Sequence, residues 1–350
     1  MSNSASSSLL AAINKISAGS TIKSTLEKEG VDTDHIVMLP IIDKAGFKAQ
    51  TAQYLAVNNE CHELVVAMAD MSIFTAPPKP SALRLTQDAA HKWTVVDGNW
   101  PPQRVVEMVL SCKKAKANVA FEPVSVAKSA RLFTRINKSD ANKTLKVFPL
   151  NAVDLSTPNQ HELTAMHQAA RTNEFFESPE WWKVVDALGI PSTGGRDRFV
   201  SITNAKLTDS GIPVQAVQLL PFIPTIITKL GAEGVLLTEL LKPNDSRLTD
   251  PDHAHYIVSR CSNGDAEIGG IYMRLFPAVE KVGNVVSVNG AGDTFLGVLV
   301  SGLARGLEID EILINIAQRA AVMTLRSHEA VSPEVKILAA DLDGLALLKA

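Results

Sequence analysis

Between residues 93 and 170 the chain repeats one pattern: a short apolar run, a polar residue at its end, then a segment with helical character. "WTVVDGNW" (93–100) reads as a buried strand that closes on Asp97 and leads into a helix predicted from about Pro102 to Ala115. "ANVAFEPVS" (117–125) closes on Glu122 and leads into another helical stretch, and "AVDLSTPNQHELTAMHQAA" starts as a strand and becomes a helix near Asn159. Strands that each feed a helix argue for βα repeats, hence an α/β fold with a mainly parallel central sheet flanked by helices. Ligands of such sheets bind at the carboxyl ends of the strands. Asp97, Glu122, Asn159 and Asp293 are therefore expected along one sheet edge.

The remaining segments fit around that sheet. "IPTIITKLGAEGVLLTEL" (223–240) reads as strand, Gly turn and strand, and 291–326 as two consecutive apolar helices. In the second, Ile309, Ile312, Leu313, Ile316, Ala320 and Met323 recur at helical spacing and are expected to be core. Upstream, "TAQYLAVN" and "ELVVAMA", joined by "NECH", suggest a hairpin. Residues 9–29 read as a helix ended by Gly30, residues 1–9 as a Ser-rich disordered start, and 75–83 as a proline-marked loop. The stretch 173–215, with "PSTGGRDRF", reads as an insertion or long loop.

Composition narrows the function classes. With 46% hydrophobic and 20% charged residues, a 350-residue chain can bury a substantial core. A formal net charge of -3 offers no basic footprint for nucleic acid or an anionic membrane. No run of 18 apolar residues is present, and "MSNSASSSLLAAINKI" lacks the charged and apolar regions of a secretory signal. Cys61, Cys112 and Cys261 form no CxxC pair, so neither a disulfide framework nor a zinc ribbon is indicated. The expectation is a cytoplasmic globular protein.

The stretch that carries chemistry is "SVNGAGDTF" (287–295). Gly290 and Gly292 allow consecutive N–H groups to point into one concavity, and the apolar helix that follows presents its positive end there. Asp293 stands in its first turn. An anion cradle beside a carboxylate suits phosphoryl transfer to an alcohol: the carboxylate takes the hydroxyl proton while the amides stabilise charge on the phosphate. By itself GAGD is equally a tight turn before a buried helix, with Gly297 and Gly302 serving close packing. A Rossmann fingerprint fails at Phe295, and no GxxxxGK[ST] loop occurs. Two further segments accompany the turn: "NQHE" (159–162), an N-x-x-E after a strand that also serves as a helix-start cap, and "KLGAEG" (229–234).

In this order the three segments resemble the ribokinase/PfkB carbohydrate kinase family, whose signatures are N-x-x-E, K/T-x-G-x-x-G and D-T-x-G-A-G-D. The likeness spans roughly 35–340 and is nearest to the kinase half of fungal proteins that join a pseudouridine-5'-phosphate glycosidase to a PfkB-type kinase, through "AQYLAVN", "VVAMADM" and "FEPVSVAKSARLF". The resemblance implies Asp293 as general base and Gly290, Ala291 and Gly292 as anion hole. It implies Asn159 and Glu162 serving Mg²⁺ and phosphate, Lys229, Gly231 and Gly234 along ATP, and a sugar or nucleoside acceptor, with pseudouridine foremost. It further implies a ribokinase-like domain over 31–345 after an N-terminal segment 1–30, with a β lid at about 51–69 through which family members pair as homodimers.

Two departures qualify this. Ser287 and Val288 stand where the family has Asp and Thr; that Asp helps hold a monovalent cation, so activation by K⁺ is in doubt. Nothing before residue 50 matches the family's sugar-holding Asp and Gly-Gly segment. The expectation is an N-terminally truncated domain: a partner chain supplies the missing part, or the chain is a fragment that binds nucleotide without turnover. Outside these motifs, His253 and His255 read as solvated, Asp97 and Glu122 as either site residues or helix caps, Trp181 and Trp182 as core anchors, and Cys261 as unpartnered.

Overall fold

The computed structural model describes residues 12–14, 17–34, 36–39, 50–58, 64–75, 92–135, 144–190 and 195–349. The Ser-rich start, the "NECH" connection and the proline-marked stretch beyond 75 lie outside them. The chain divides into two compact units, residues 1–91 with 99–101 and residues 92–98 with 102–350.

In the first unit β1 (Ala12–Asn14) pairs in parallel with β2 (Val37–Leu39), and α1 (Ser17–Lys28) lies between them in sequence. The helix expected from residue 9 thus begins eight residues later, after a short strand. It ends as predicted: Gly30 takes φ +78, with Val31 N–H donating to Leu26 O and Gly30 N–H to Glu27 O, the paired bonds of a Schellman cap. The hairpin is present as β3 (Gln53–Asn58) against antiparallel β4 (Leu64–Asp70).

The second unit runs β5 (Trp93–Asp97), α2 (Pro102–Lys114), β6 (Asn118–Glu122), α3 (Val126–Ser129), β7 (Leu155–Ser156), α4 (Gln160–Thr172), α5 (Pro179–Leu188), α6 (Gly195–Ile202), α7 (Ala205–Asp209), α8 (Ile212–Leu219), β8 (Thr225–Lys229), β9 (Val235–Leu241), β10 (Ile257–Arg260), β11 (Gly270–Phe276), α9 (Ala291–Ala304), α10 (Glu311–Leu325) and α11 (Leu338–Lys349). Its strands form one seven-stranded sheet in the order β10-β11-β9-β8-β7-β6-β5. Neighbours from β5 to β8 are parallel; the β8–β9, β9–β11 and β11–β10 pairings are antiparallel.

Residues Ala120, Leu155, Ile227 and Leu237 pack with Phe295, Leu296 and Leu299 of α9 and Ile314 and Ala317 of α10 in one core cluster. By the strand alternation, Val119, Phe121, Ile226 and Leu236 point to the other face, where α2, α4 and α8 contact the strands. Gly302 is needed for the α9–α10 contact, since a Cβ there would stand 2.4 Å from Leu313 Cδ1. Gly297 meets nothing within 4 Å and has no such role.

The described residues of 173–215 are mostly helical, not a long loop: Ser178 caps α5, Gly189 ends it at φ +63, Asn204 caps α7, and Pro213 sits in the first turn of α8, while 191–194 lie outside the described residues. Its dense turn residues are caps between short helices. Strand β5 is not buried: only Val96 is, while Val95 is 46% exposed, because β5 is the edge of the sheet among the described residues. Trp181 is core, but its neighbour Trp182 is 49% exposed, and Ile312, expected in the core, is 54% exposed on α10 while Leu313, Ile316 and Ala320 are buried. No helix of the described residues is long and apolar enough to cross a membrane.

Candidate active site

Parallel strands β6, β7 and β8 point the same way, so Glu122, the segment after Ser156, and Lys229 arrive at one edge. Asn159 joins them through an isolated parallel bridge to Lys229. Ser156 Oγ donates to Phe121 O at 2.8 Å, and Lys229 N–H to Pro158 O at 2.8 Å, which fixes the three strand ends side by side.

Asn159 and Glu162 form a reciprocal capping box on α4. Asn159 Oδ1 accepts from His161 N–H and Glu162 N–H, both at 2.9 Å, while Glu162 Oε2 accepts from Asn159 N–H at 2.8 Å. The N-x-x-E pattern therefore has a structural use, and Glu162 is 4% exposed.

The Gly-Ala-Gly-Asp turn opens α9. Gly290 is its N-cap at φ +77, and the chain there passes so close to the loop after α10 that a Cβ would stand 1.7 Å from Ala330 O. Thr294 locks the turn by donating its N–H to Gly290 O at 2.8 Å, and its hydroxyl bonds Thr324 Oγ1 at 3.0 Å. Thr324 in turn accepts from Ser332 N–H at 3.2 Å, and Val286 N–H donates to Leu325 O at 2.8 Å. The N–H groups of Ala291, Gly292 and Asp293 are the first of the helix, where geometry provides no intrahelical carbonyl. Asp293 is in that first turn and exposed.

Lys229, expected along ATP, lies against this turn: its Nζ is 2.9 Å from where a Cβ on Gly292 would be. The same Nζ is 3.6 Å from Oε1 of Glu122. Glu122 is 6% exposed and accepts from Thr157 Oγ1 at 3.0 Å. Burial pushes its carboxyl above the usual range; Lys229 pulls it down, while Asp293 and Glu162 push it further up. Glu122 is not the N-cap of α3, which is Ser125, and it lies beside Lys229 at the strand ends. The strand pattern marked Glu122 as a polar tip but carried no sign of its partner.

Of the remaining glycines, Gly231 takes φ +61 in an open turn, whereas Gly234 takes φ +93 and leaves no room for a Cβ, which would stand 2.1 Å from Phe276 O. His253 Nδ1 lies 3.3 Å from the Tyr272 hydroxyl, away from these strand ends. A cavity of about 620 Å³ lined by Glu280, Met323, Arg326 and Pro333 includes none of residues 290–293.

Comparison with known proteins follows the same residues. The profile of the pfkB family carbohydrate kinases matches residues 274–337, which hold the turn, α9 and α10. Over 306 residues the chain is 31% identical to a pseudouridine-metabolizing bifunctional protein of Schizosaccharomyces pombe, covering 85% of this chain and 36% of that one. The chain thus spans about a third of the length of that curated relative. Among solved structures, Arabidopsis thaliana ribokinase complexed with ribose and ATP superposes with a TM-score of 0.59 at 15% identity, covering 96% of this chain and 82% of that one. The adenosine kinase of Sinorhizobium meliloti gives 0.59 at 13% identity, with 97% and 78% covered. At these identities the structures establish a shared ribokinase-like fold.

Proposed function

We propose that the chain is a kinase of the pfkB family, whose model matches residues 274–337, and that it transfers the terminal phosphoryl group of ATP to a hydroxyl of a sugar or nucleoside, with pseudouridine as the foremost acceptor. The observation that carries the reading is the meeting, at one sheet edge, of the free N–H groups of α9, the Asp293 carboxylate and the Lys229 ammonium. Amides and an ammonium are the donor set a phosphate calls for. The carboxylate beside them suits an acceptor alcohol.

In the proposed reaction Asp293 accepts the hydroxyl proton as the acceptor oxygen bonds to the γ-phosphorus. The bond from that phosphorus to the bridging oxygen breaks, and its electron pair leaves with ADP. The N–H groups of Ala291 and Gly292 hold the equatorial oxygens as charge moves. Among the described residues no cluster of three or more acidic, His or Cys side chains forms a dedicated metal cage. Asn159 and Glu162 at this edge would stand beside a phosphate-bound Mg²⁺, and the ion would neutralise phosphate charge. The β3–β4 hairpin exposes Tyr54, Leu55, Val57, Val65, Val66 and Met68, which supports its reading as a lid or as a surface pairing with a second copy.

The test is ADP formation by the purified chain with Mg²⁺ in the presence of pseudouridine, uridine, adenosine, ribose and hexoses. Acceptor-dependent turnover is expected, with the highest kcat/KM for pseudouridine. A folded chain that binds ATP but forms no ADP with any acceptor would replace the kinase by a non-catalytic nucleotide-binding module.

A further inference from the structure

The buried pair Glu122–Lys229 lies directly beneath the turn, at a place where a simple packing role does not account for the geometry. Along a helix every Cα–Cβ bond tilts towards the N-terminus. An atom 2.9 Å from the Cβ position of Gly292 therefore lies on the side towards which the free N–H groups of α9 point. That atom is Lys229 Nζ, and Gly292 is the one residue type that leaves room for it without displacement. The side chain is 18% exposed, so its charge reaches the concavity while its stem stays buried. The anchor opposite is more deeply buried: the Glu122 side chain is 8% exposed, its Oε2 is held by the Thr157 hydroxyl, and its Oε1 faces the ammonium at 3.6 Å. A separation beyond hydrogen-bond length fixes the position of the ammonium without using up its donors.

Resting on the kinase reading above, in which Lys229 lies along ATP and meets the transferred phosphoryl group, we propose that Glu122 is the positioning residue that holds the Lys229 ammonium beneath residues 290–292. Lys229 takes no part in bond making: it stabilises the oxygens of the γ-phosphoryl while the proton passes to Asp293. Glu122 touches neither substrate and acts only through Lys229. A lone lysine in this place would be free to swing into solvent, and a lone buried glutamate would be an uncompensated charge. Paired, they present a positive charge whose direction is set before ATP arrives.

The experiment compares steady-state kinetics and thermal melting for the wild type, Asp293→Asn, Lys229→Met, Glu122→Gln, Lys229→Met/Glu122→Gln and Gly292→Ala. Lys229→Met is expected to lower kcat by about 10²–10³-fold with KM for ATP changed by less than about threefold, the signature of a contact made in the transition state. Glu122→Gln lowers kcat by about tenfold in the wild-type background and has no further effect once Lys229 is methionine. The double variant, which replaces the ion pair by a neutral one, melts near the wild-type temperature and stays inactive. Gly292→Ala leaves both members of the pair intact but pushes the ammonium aside, and lowers kcat without lowering the melting temperature. If the double variant regains both stability and turnover, the pair is structural only and the proposal falls. It falls equally if Gly292→Ala and Lys229→Met keep the wild-type kcat. A wild type that turns over, an inactive Asp293→Asn and an active double variant would remove this inference alone. A wild type silent with every acceptor removes the kinase reading with it.

Discussion

Asp293→Asn is expected to lower kcat by about three orders of magnitude while KM for ATP stays within about twofold, because a general base contributes roughly 10²–10⁴-fold. Asparagine is nearly the same shape and cannot take the hydroxyl proton. Asp293 is exposed in the first turn of α9, so the exchange removes no buried contact. Its structural cost is limited to one favourable charge at a helix start, about 0.5 kcal/mol. Loss of rate with retained stability is therefore diagnostic of chemistry. The measurement is initial rate of ADP formation on the acceptor that serves the wild type best, with urea melts in parallel. A variant that keeps more than about a tenth of the wild-type rate would take Asp293 out of the proton transfer.

Gly290→Ala is expected to act through the opposite route, destabilising the chain by roughly 3 kcal/mol or more and abolishing turnover. Two effects add. A non-glycine residue at φ +77 is strained by about 1–3 kcal/mol, and the new methyl would stand 1.7 Å from Ala330 O, an overpacking that backbone movement alone relieves. Moving that backbone breaks the bonds that tie the turn to the loop beyond α10, among them Thr294 to Thr324 and Ser332 to Thr324. Gly292→Ala is the control, since its Cβ meets only the end of a flexible side chain. A shift in the urea midpoint is expected for Gly290→Ala alone. Equal midpoints for the two variants would show that the Ala330 contact does not restrain the turn.

Local pattern revealed the sheet more readily than the site. The strands β5, β6 and β8 were legible because each is a short apolar run bounded by polar or turn residues, and β7 because it runs straight into a capped helix. The helices of 175–219 were not: each is short, and its capping Ser, Asn, Gly and Pro residues mimic a loop until tertiary packing picks out the apolar faces. The edge position of β5 was equally hidden, since Val95 and Val96 look alike in sequence and differ only in what covers them. At the site, the glycines of 290–292 announced an unusual turn through composition alone. Their reasons differ, one facing a carbonyl and the other an ammonium, and only the fold separates them. The Glu122–Lys229 contact left no trace in spacing, because it joins strand ends 107 residues apart in sequence, separated in the sheet by β7.

The order of the site's parts along the chain has a consequence for biosynthesis. Glu122 is translated before Asn159 and Lys229, the turn at 290–293 follows them, and Ala330 and Ser332, which brace it, come later still. A nascent chain that stops short of residue 290 contains Glu122 and Lys229 but none of the residues of the anion cradle. The cradle closes only after residue 332 has emerged, so an incomplete polypeptide has the strands and the charge but no closed place for a phosphate. Closure of the cradle then reports that α9, α10 and the loop after α10 have docked.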